Sequence, residues 1–136
     1  MPHVTVARMR EADRRCIEEL GIPGAVLMHN AGAAVFAEVT KRFPRPAAMT
    51  VACGKGNNGG DGLVIARQLF TRFHPRALDV VLLAEPGELR GDAAANYRML
   101  EVCGCRVARE IAPAMRRAGI VLDALLGTGL AGPAKG

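Results

Sequence analysis

Met49-Thr50-Val51-Ala52-Cys53-Gly54-Lys55-Gly56-Asn57-Asn58-Gly59-Gly60-Asp61-Gly62-Leu63-Val64 is the stretch on which the reading of this sequence turns. An apolar, β-branched run stops at a loop holding five glycines, two asparagines and an aspartate. An apolar segment with helical character, Leu63 to Phe70, follows at once. The order is strand, glycine-rich turn, helix. Glycines let backbone N–H groups approach a ligand with no Cβ in the way, and a following helix N-terminus adds unpaired N–H groups that favour an anion such as phosphate. The loop is not a Walker A loop, because Lys55 precedes the glycine cluster and no Gly-Lys-Ser/Thr closes it. Gly54-x-Gly56-x-x-Gly59 fits the dinucleotide fingerprint in form. That fingerprint also wants an acidic residue roughly 20 positions on, and Glu85 is a late candidate. A tight turn without a ligand is the alternative, but this loop holds more polar groups than a turn needs.

Working outward, Arg8 to Leu20 reads as a helix, with Met9, Ala12, Cys16, Ile17 and Leu20 at helical spacing. Gly21-Ile22-Pro23-Gly24 breaks it before a second helix, Ala25 to Phe43, apolar on most sides and so expected to be buried. Its small residues Ala31, Gly32, Ala33 and Ala34 would let another backbone come close. A strand over Ala48 to Cys53 and a helix over Gly60 to Arg72 flank the glycine loop. Leu78 to Ala84 is a continuous apolar run, as expected of a parallel strand covered on both faces. Gly91 to Val102 reads as a helix, Arg106 to Arg109 as a short strand, Ala112 to Ala118 as a short helix and Gly119 to Leu126 as a last strand. A second glycine-rich loop, Gly127-Thr128-Gly129-Leu130-Ala131-Gly132-Pro133, leaves that strand. Strands alternating with helices imply a parallel doubly wound sheet.

With 136 residues the chain is one domain able to bury its own core. Four Phe, one Tyr and no Trp leave that core to Val, Leu, Ile, Ala and Met. The net charge of +5 comes from scattered arginines, Arg10 among them, read mostly as solvated helix faces and not as a nucleic-acid surface; a positive balance suits a small anion. Cys16, Cys53, Cys103 and Cys105 show no metal or CxxC spacing, so free thiols in a reducing cytoplasm are expected. Neither a signal peptide nor a transmembrane run is visible, and no membrane partner is expected.

If the strands starting at Ala48 and Gly119 are neighbours, Asn57, Asn58, Asp61, Asp123 and Thr128 converge on the crevice where ligands bind in open α/β sheets. Asp123 interrupts an apolar run, and a carboxylate in a buried strand is costly unless paired, metal-bound or hydrogen-bonded. It is either functional or a capping aspartate taking loop N–H groups. Asp61 is either functional or a cap on the helix that follows. Oxygen groups such as Asn58 and Asp123 suit a hard cation. Lys55 meets a phosphate or is solvated. His29, on a buried-looking helix, reads as a core histidine.

Four segments resemble the YjeF N-terminal domain family, the NAD(P)H-hydrate epimerases. They are Met9-Arg10-Glu11-Ala12-Asp13 with Gly21-Ile22-Pro23, Leu27-Met28-His29-Asn30-Ala31-Gly32, Gly54 to Gly62, and Asp123-Ala124-Leu125-Leu126-Gly127-Thr128-Gly129-Leu130. The resemblance implies a Rossmann-like three-layer α/β/α sandwich with a mostly parallel sheet, preceded by two N-terminal helices. It implies interconversion of the two C6 epimers of hydrated NADH or NADPH (NADHX, NADPHX), a metabolite-repair reaction, with a bound potassium ion. It places the nucleotide on Asn57, Asn58, Gly59, Gly60 and Asp61 and on Gly127, Thr128, Gly129, Leu130, Ala131, Gly132 and Pro133, and potassium on Asn58 and Asp123. A homodimer is among the partners it suggests. His29 stands where the family usually has a glutamate. Family members run on beyond the point matching Gly136, supplying a further substrate-contacting aspartate and a potassium-contacting serine. Residues 1–136 are therefore expected to be such a domain, incomplete at its C-terminus.

Epimerisation at C6 requires the hydroxyl to leave and return on the other face, or the ring to open and reclose, and either route wants a positioned acid/base. Asp123 is the first candidate and Asp61 the second. The alternative is an inactive nucleotide-binding or protein-interaction module on the same scaffold. An ordinary NAD-dependent dehydrogenase fits the Asn-Asn-Gly-Gly-Asp loop poorly.

Overall fold

A computed structural model of the chain describes residues 3–45, 48–129 and 133. Two helices, α1 (Val6–Glu18) and α2 (Gly24–Arg42), precede β1 (Ala48–Cys53). The chain then runs α3 (Asn57–Gln68), β2 (Ala77–Leu82), α4 (Gly91–Val102), β3 (Val107–Ala108), α5 (Pro113–Arg116) and β4 (Ile120–Ala124). The four strands form one parallel sheet in the order β3-β2-β1-β4. The chain leaves β1 for β2 and only later returns to β1's other side as β4. The connections therefore diverge between β1 and β4, and ligands of open α/β sheets bind beyond the C-terminal ends of strands at such a divergence.

Helix α3 packs on β1 between α2 and α4. Met49, Val51 and Cys53 from β1, Val80 and Leu82 from β2 and Leu63 and Leu69 beside them form the main core. Each such side chain contributes about 1.5–3 kcal/mol by leaving water. Burial also pushes the Cys53 thiol up to about 12, so it packs as an inert apolar group. The opposite face carries a smaller cluster of Ala52, Val81 and Met115. There the buried Thr50 hydroxyl donates to the Met115 carbonyl at 3.0 Å, tying α5 to β1. This is the expected α/β arrangement with helices on both faces, and all four cysteines are free thiols.

Several expectations change. In α2 only Met28, Gly32 and Phe36 are buried, while Val26 and Val35 are more than 40% exposed, so the helix uses one stripe and not most of its surface. His29 is exposed and is no core histidine. The expected close approach of a second backbone occurs at Gly32, where a Cβ would lie 3.1 Å from the Asp61 carbonyl oxygen and 2.5 Å from the Val64 side chain. The segment after α3 widens into a π-helix, Leu69–Phe73, closed by His74 at φ 52°. The last strand ends at Ala124 and not at Leu126, because the next two residues give their backbone groups to side chains, as described below. No helix among the described residues is long and apolar enough to cross a membrane.

Candidate active site

The glycine–asparagine loop is shorter than its sequence suggests, because α3 begins at Asn57 and not at Gly60. Its N-cap is Gly56, which has no side chain to turn back on the helix. The first helical bond runs from Gly60 N–H to the Gly56 carbonyl, 3.0 Å. Among the described residues nothing accepts from the N–H groups of Asn57, Asn58 and Gly59. A helix start with three free donors and no capping side chain presents partial positive charge to whatever lies in the crevice. Asp61 sits a full turn inside α3, so it does not cap the helix.

The two glycine loops meet at this point. Gly54 N–H donates to the Ala124 carbonyl at 3.0 Å, and a Cβ on Gly54 would fall 2.1 Å from the Leu125 carbonyl oxygen. Asn58 Nδ2 donates to the Leu126 carbonyl at 3.0 Å. Gly127 lies against Asn58, where a Cβ would be 3.0 Å from Asn58 Cβ. Gly127, Thr128 and Gly129 are exposed, as is Pro133. Leu130, Ala131 and Gly132 lie outside the described residues.

Asp123 departs from the buried carboxylate its apolar surroundings suggest: it is exposed. Among the described residues strand β4 pairs with β1 alone and stands at one edge of the sheet. Along it Ile120 and Leu122 pack on the main core. Asp123 alternates to the other face, in register with Ala52. Asp123 Oδ1 accepts from Leu125 N–H at 3.0 Å, so the aspartate does cap a loop amide, and only its second oxygen remains free of that bond. No hydrogen bond among the described residues joins Asp123 to Asn58 or Asp61.

Lys55 neither faces the crevice alone nor stands free: its ammonium pairs with exposed Glu88 at 3.2 Å. The late acidic candidate, Glu85, pairs with Arg109 at 2.9 Å. Sequence reasoning missed the contribution of α1. Arg10, read as a solvated helix face, places Nη2 on the Thr128 carbonyl of the second loop. The visible signal was its position, three residues before Asp13 in a segment rich in charge.

Asp61 is half-buried, and burial first, then the negative charge of Asp13, push its carboxyl up to about 6. A half-buried carboxyl titrating near neutrality suits proton transfer. It also sets a sign for stability. The folded chain holds this proton at pH values where the unfolded chain, with an ordinary carboxylate, has lost it. Asp61 therefore lowers stability as pH rises from about 4 to about 6. Urea titrations across that range should show Asp61→Asn gaining stability relative to the parent as pH rises. A constant difference between the two would contradict the raised value.

The family described as YjeF-related protein N-terminus matches residues 24–136. The chain is similar to an NAD(P)H-hydrate epimerase of Rhodopirellula baltica, 39% identical over 140 residues, covering 100% of this chain and 56% of that protein. It is also similar to a bifunctional NAD(P)H-hydrate repair enzyme Nnr of Thermanaerovibrio acidaminovorans, 40% identical over 136 residues, covering 95% of this chain and 26% of that one. The chain thus spans about a quarter to little more than half of these relatives. The crystal structure of yeast ynu0 superposes with a TM-score of 0.82 at 24% identity, covering 99% of this chain and 60% of that one, a likeness of fold.

Proposed function

Because the chain belongs to the family described as YjeF-related protein N-terminus, we propose that it binds hydrated NADH or NADPH between its two glycine loops and interconverts the C6 epimers. The observation that carries this reading is the pair of loops at the divergence of β1 and β4. One loop offers the three unpaired N–H groups of Asn57, Asn58 and Gly59, and the other, Gly127 to Gly129, packs against it through Asn58. A nucleotide's phosphates are the ligand such donors favour.

Asp123 is the proposed acid/base. It delivers a proton to the departing C6 hydroxyl while the ring nitrogen's lone pair expels water, leaving a planar iminium. Water then adds to either face and returns a proton to the carboxylate. Asp61, with its raised pKa, is the second candidate for the same duty. Asn58 and Asp123 also suit a potassium ion in donor chemistry. The Asn58 amide nitrogen is spent on the Leu126 carbonyl, which leaves its oxygen, and Asp123 Oδ1 accepts a single bond and keeps a lone pair for an ion while its other oxygen serves the proton. When bound, such an ion offsets the negative charge of the phosphates. The free thiols suit the reducing cytoplasm in which these nucleotides are used.

The test starts from one purified epimer of NADPHX in potassium buffer, with the approach to the epimer mixture followed by chromatography. Approach faster than in buffer alone is expected, slowing when lithium replaces potassium. No acceleration by a folded chain would overturn the epimerase reading.

A further inference from the structure

Helix α1 has no buried residue, so apolar burial does not hold it against the sheet. Its charges are used unequally. Arg14 pairs with Glu11, Glu18 and Glu19, and Arg15 pairs with Glu19, all on α1 or its C-cap. Arg10 instead crosses to a residue 118 positions away, donating from Nη2 to the Thr128 carbonyl. Thr128 lies between Gly127 and Gly129, whose backbones have the widest conformational choice. Three described side-chain bonds hold residues 125–129: Asp123 on the Leu125 N–H, Asn58 on the Leu126 carbonyl and Arg10 on the Thr128 carbonyl, the last two from α3 and α1.

We propose that Arg10 is a positioning residue for the nucleotide site: by binding the Thr128 carbonyl it turns that oxygen toward α1 and the neighbouring N–H groups toward the phosphates. An unrestrained carbonyl oxygen facing a phosphate would repel it, and in a loop with glycines on both sides little else opposes such a turn. The guanidinium carries five donors in a rigid fork, so one nitrogen can hold a carbonyl while the others keep positive charge beside the anion. Asp13, one turn further along α1, adds its charge to the field at Asp61, placing the same face of α1 beside α3. The identity of the ligand rests on the epimerase reading; the loop-holding role of Arg10 does not.

The experiment compares Arg10→Ala and Arg10→Lys with the parent by amide hydrogen exchange over residues 125–129 and by epimerisation kinetics on NADPHX. Arg10→Ala should exchange faster in that loop and raise KM about 10-fold with kcat nearly kept, as loss of one charge-assisted bond made equally in ground and transition states would do. Arg10→Lys, which can still donate to the carbonyl, should recover part of both. Tm should barely move, since α1 buries no side chain. Unchanged loop exchange in Arg10→Ala overturns the proposal, whatever happens to KM. A fall in kcat and Tm together, without faster local exchange, overturns it as well. A parent chain that fails to epimerise removes the epimerase reading alone, and the exchange data still decide the role of Arg10.

Discussion

Gly59→Ala is expected to lower Tm by roughly 10 °C, the consequence of about 3 kcal/mol of lost stability in a domain of this size. A β-carbon at Gly59 would lie 1.8 Å from the Gly54 carbonyl oxygen and 2.6 Å from its carbon. Those are backbone atoms of the loop itself, so no side chain can swing aside. Relief must come from moving Gly54, and Gly54 is already held by its N–H bond to the Ala124 carbonyl and by the Leu125 carbonyl against its Cα. The strain therefore spreads from the first loop into the end of β4. Gly56→Ala is the control. Nothing lies within 4 Å of a β-carbon there and φ is −86°, so only the N-cap preference of Gly over Ala acts and the effect should stay within about 1 kcal/mol. Thermal melts of both variants check this. A Gly59→Ala chain melting within a degree or two of the parent would mean that the loop is not packed as described.

Asp123→Asn is expected to reduce epimerisation about 100-fold or more, the range that a positioned acid/base contributes. The substitution separates chemistry from structure unusually well. Asp123 Oδ1 accepts from Leu125 N–H, and an asparagine oxygen can accept the same bond, so the turn after β4 should persist. Because Asp123 is exposed, the swap creates no buried unpaired amide. What disappears is the charge and the ability to carry a proton. Full activity in Asp123→Asn would remove this residue from the acid/base role and leave Asp61 as the remaining candidate. Activity lost together with thermal stability would show that its duty is structural.

The order of elements was legible because the punctuation is strong. Gly-Ile-Pro-Gly after α1, the glycine loop after β1 and Pro86-Gly87 after β2 each mark a change that local chemistry enforces. The adjacency of β1 and β4 stood only as a condition in the sequence, and their parallel pairing meets it. Boundaries set by long-range side-chain bonds were not. Apolar periodicity carries Leu125 and Leu126 into the last strand, but Asp123 takes the amide of one and Asn58 the carbonyl of the other. Asp123 looked buried because its neighbours in sequence are apolar, whereas its exposure follows from β4 standing at an edge among the described strands. Composition cannot reveal that. Arg10 was hidden for a similar reason: an arginine on a charged helix reads as solvated until the fold brings residue 128 to it. Lys55 remained open in the sequence, and its pairing with Glu88 depends on where the turn after β2 lands.

Whether the two glycine loops form one nucleotide site decides the proposed function. Amide NMR of the isotopically labelled chain, titrated with NADPHX in potassium buffer, tests this most directly. The largest shifts should fall on Asn57 to Gly60 and on Gly127 to Gly129, saturating together at one midpoint. Shifts confined to other parts of the sheet, or none in these two loops, would contradict the site and with it the proposed function.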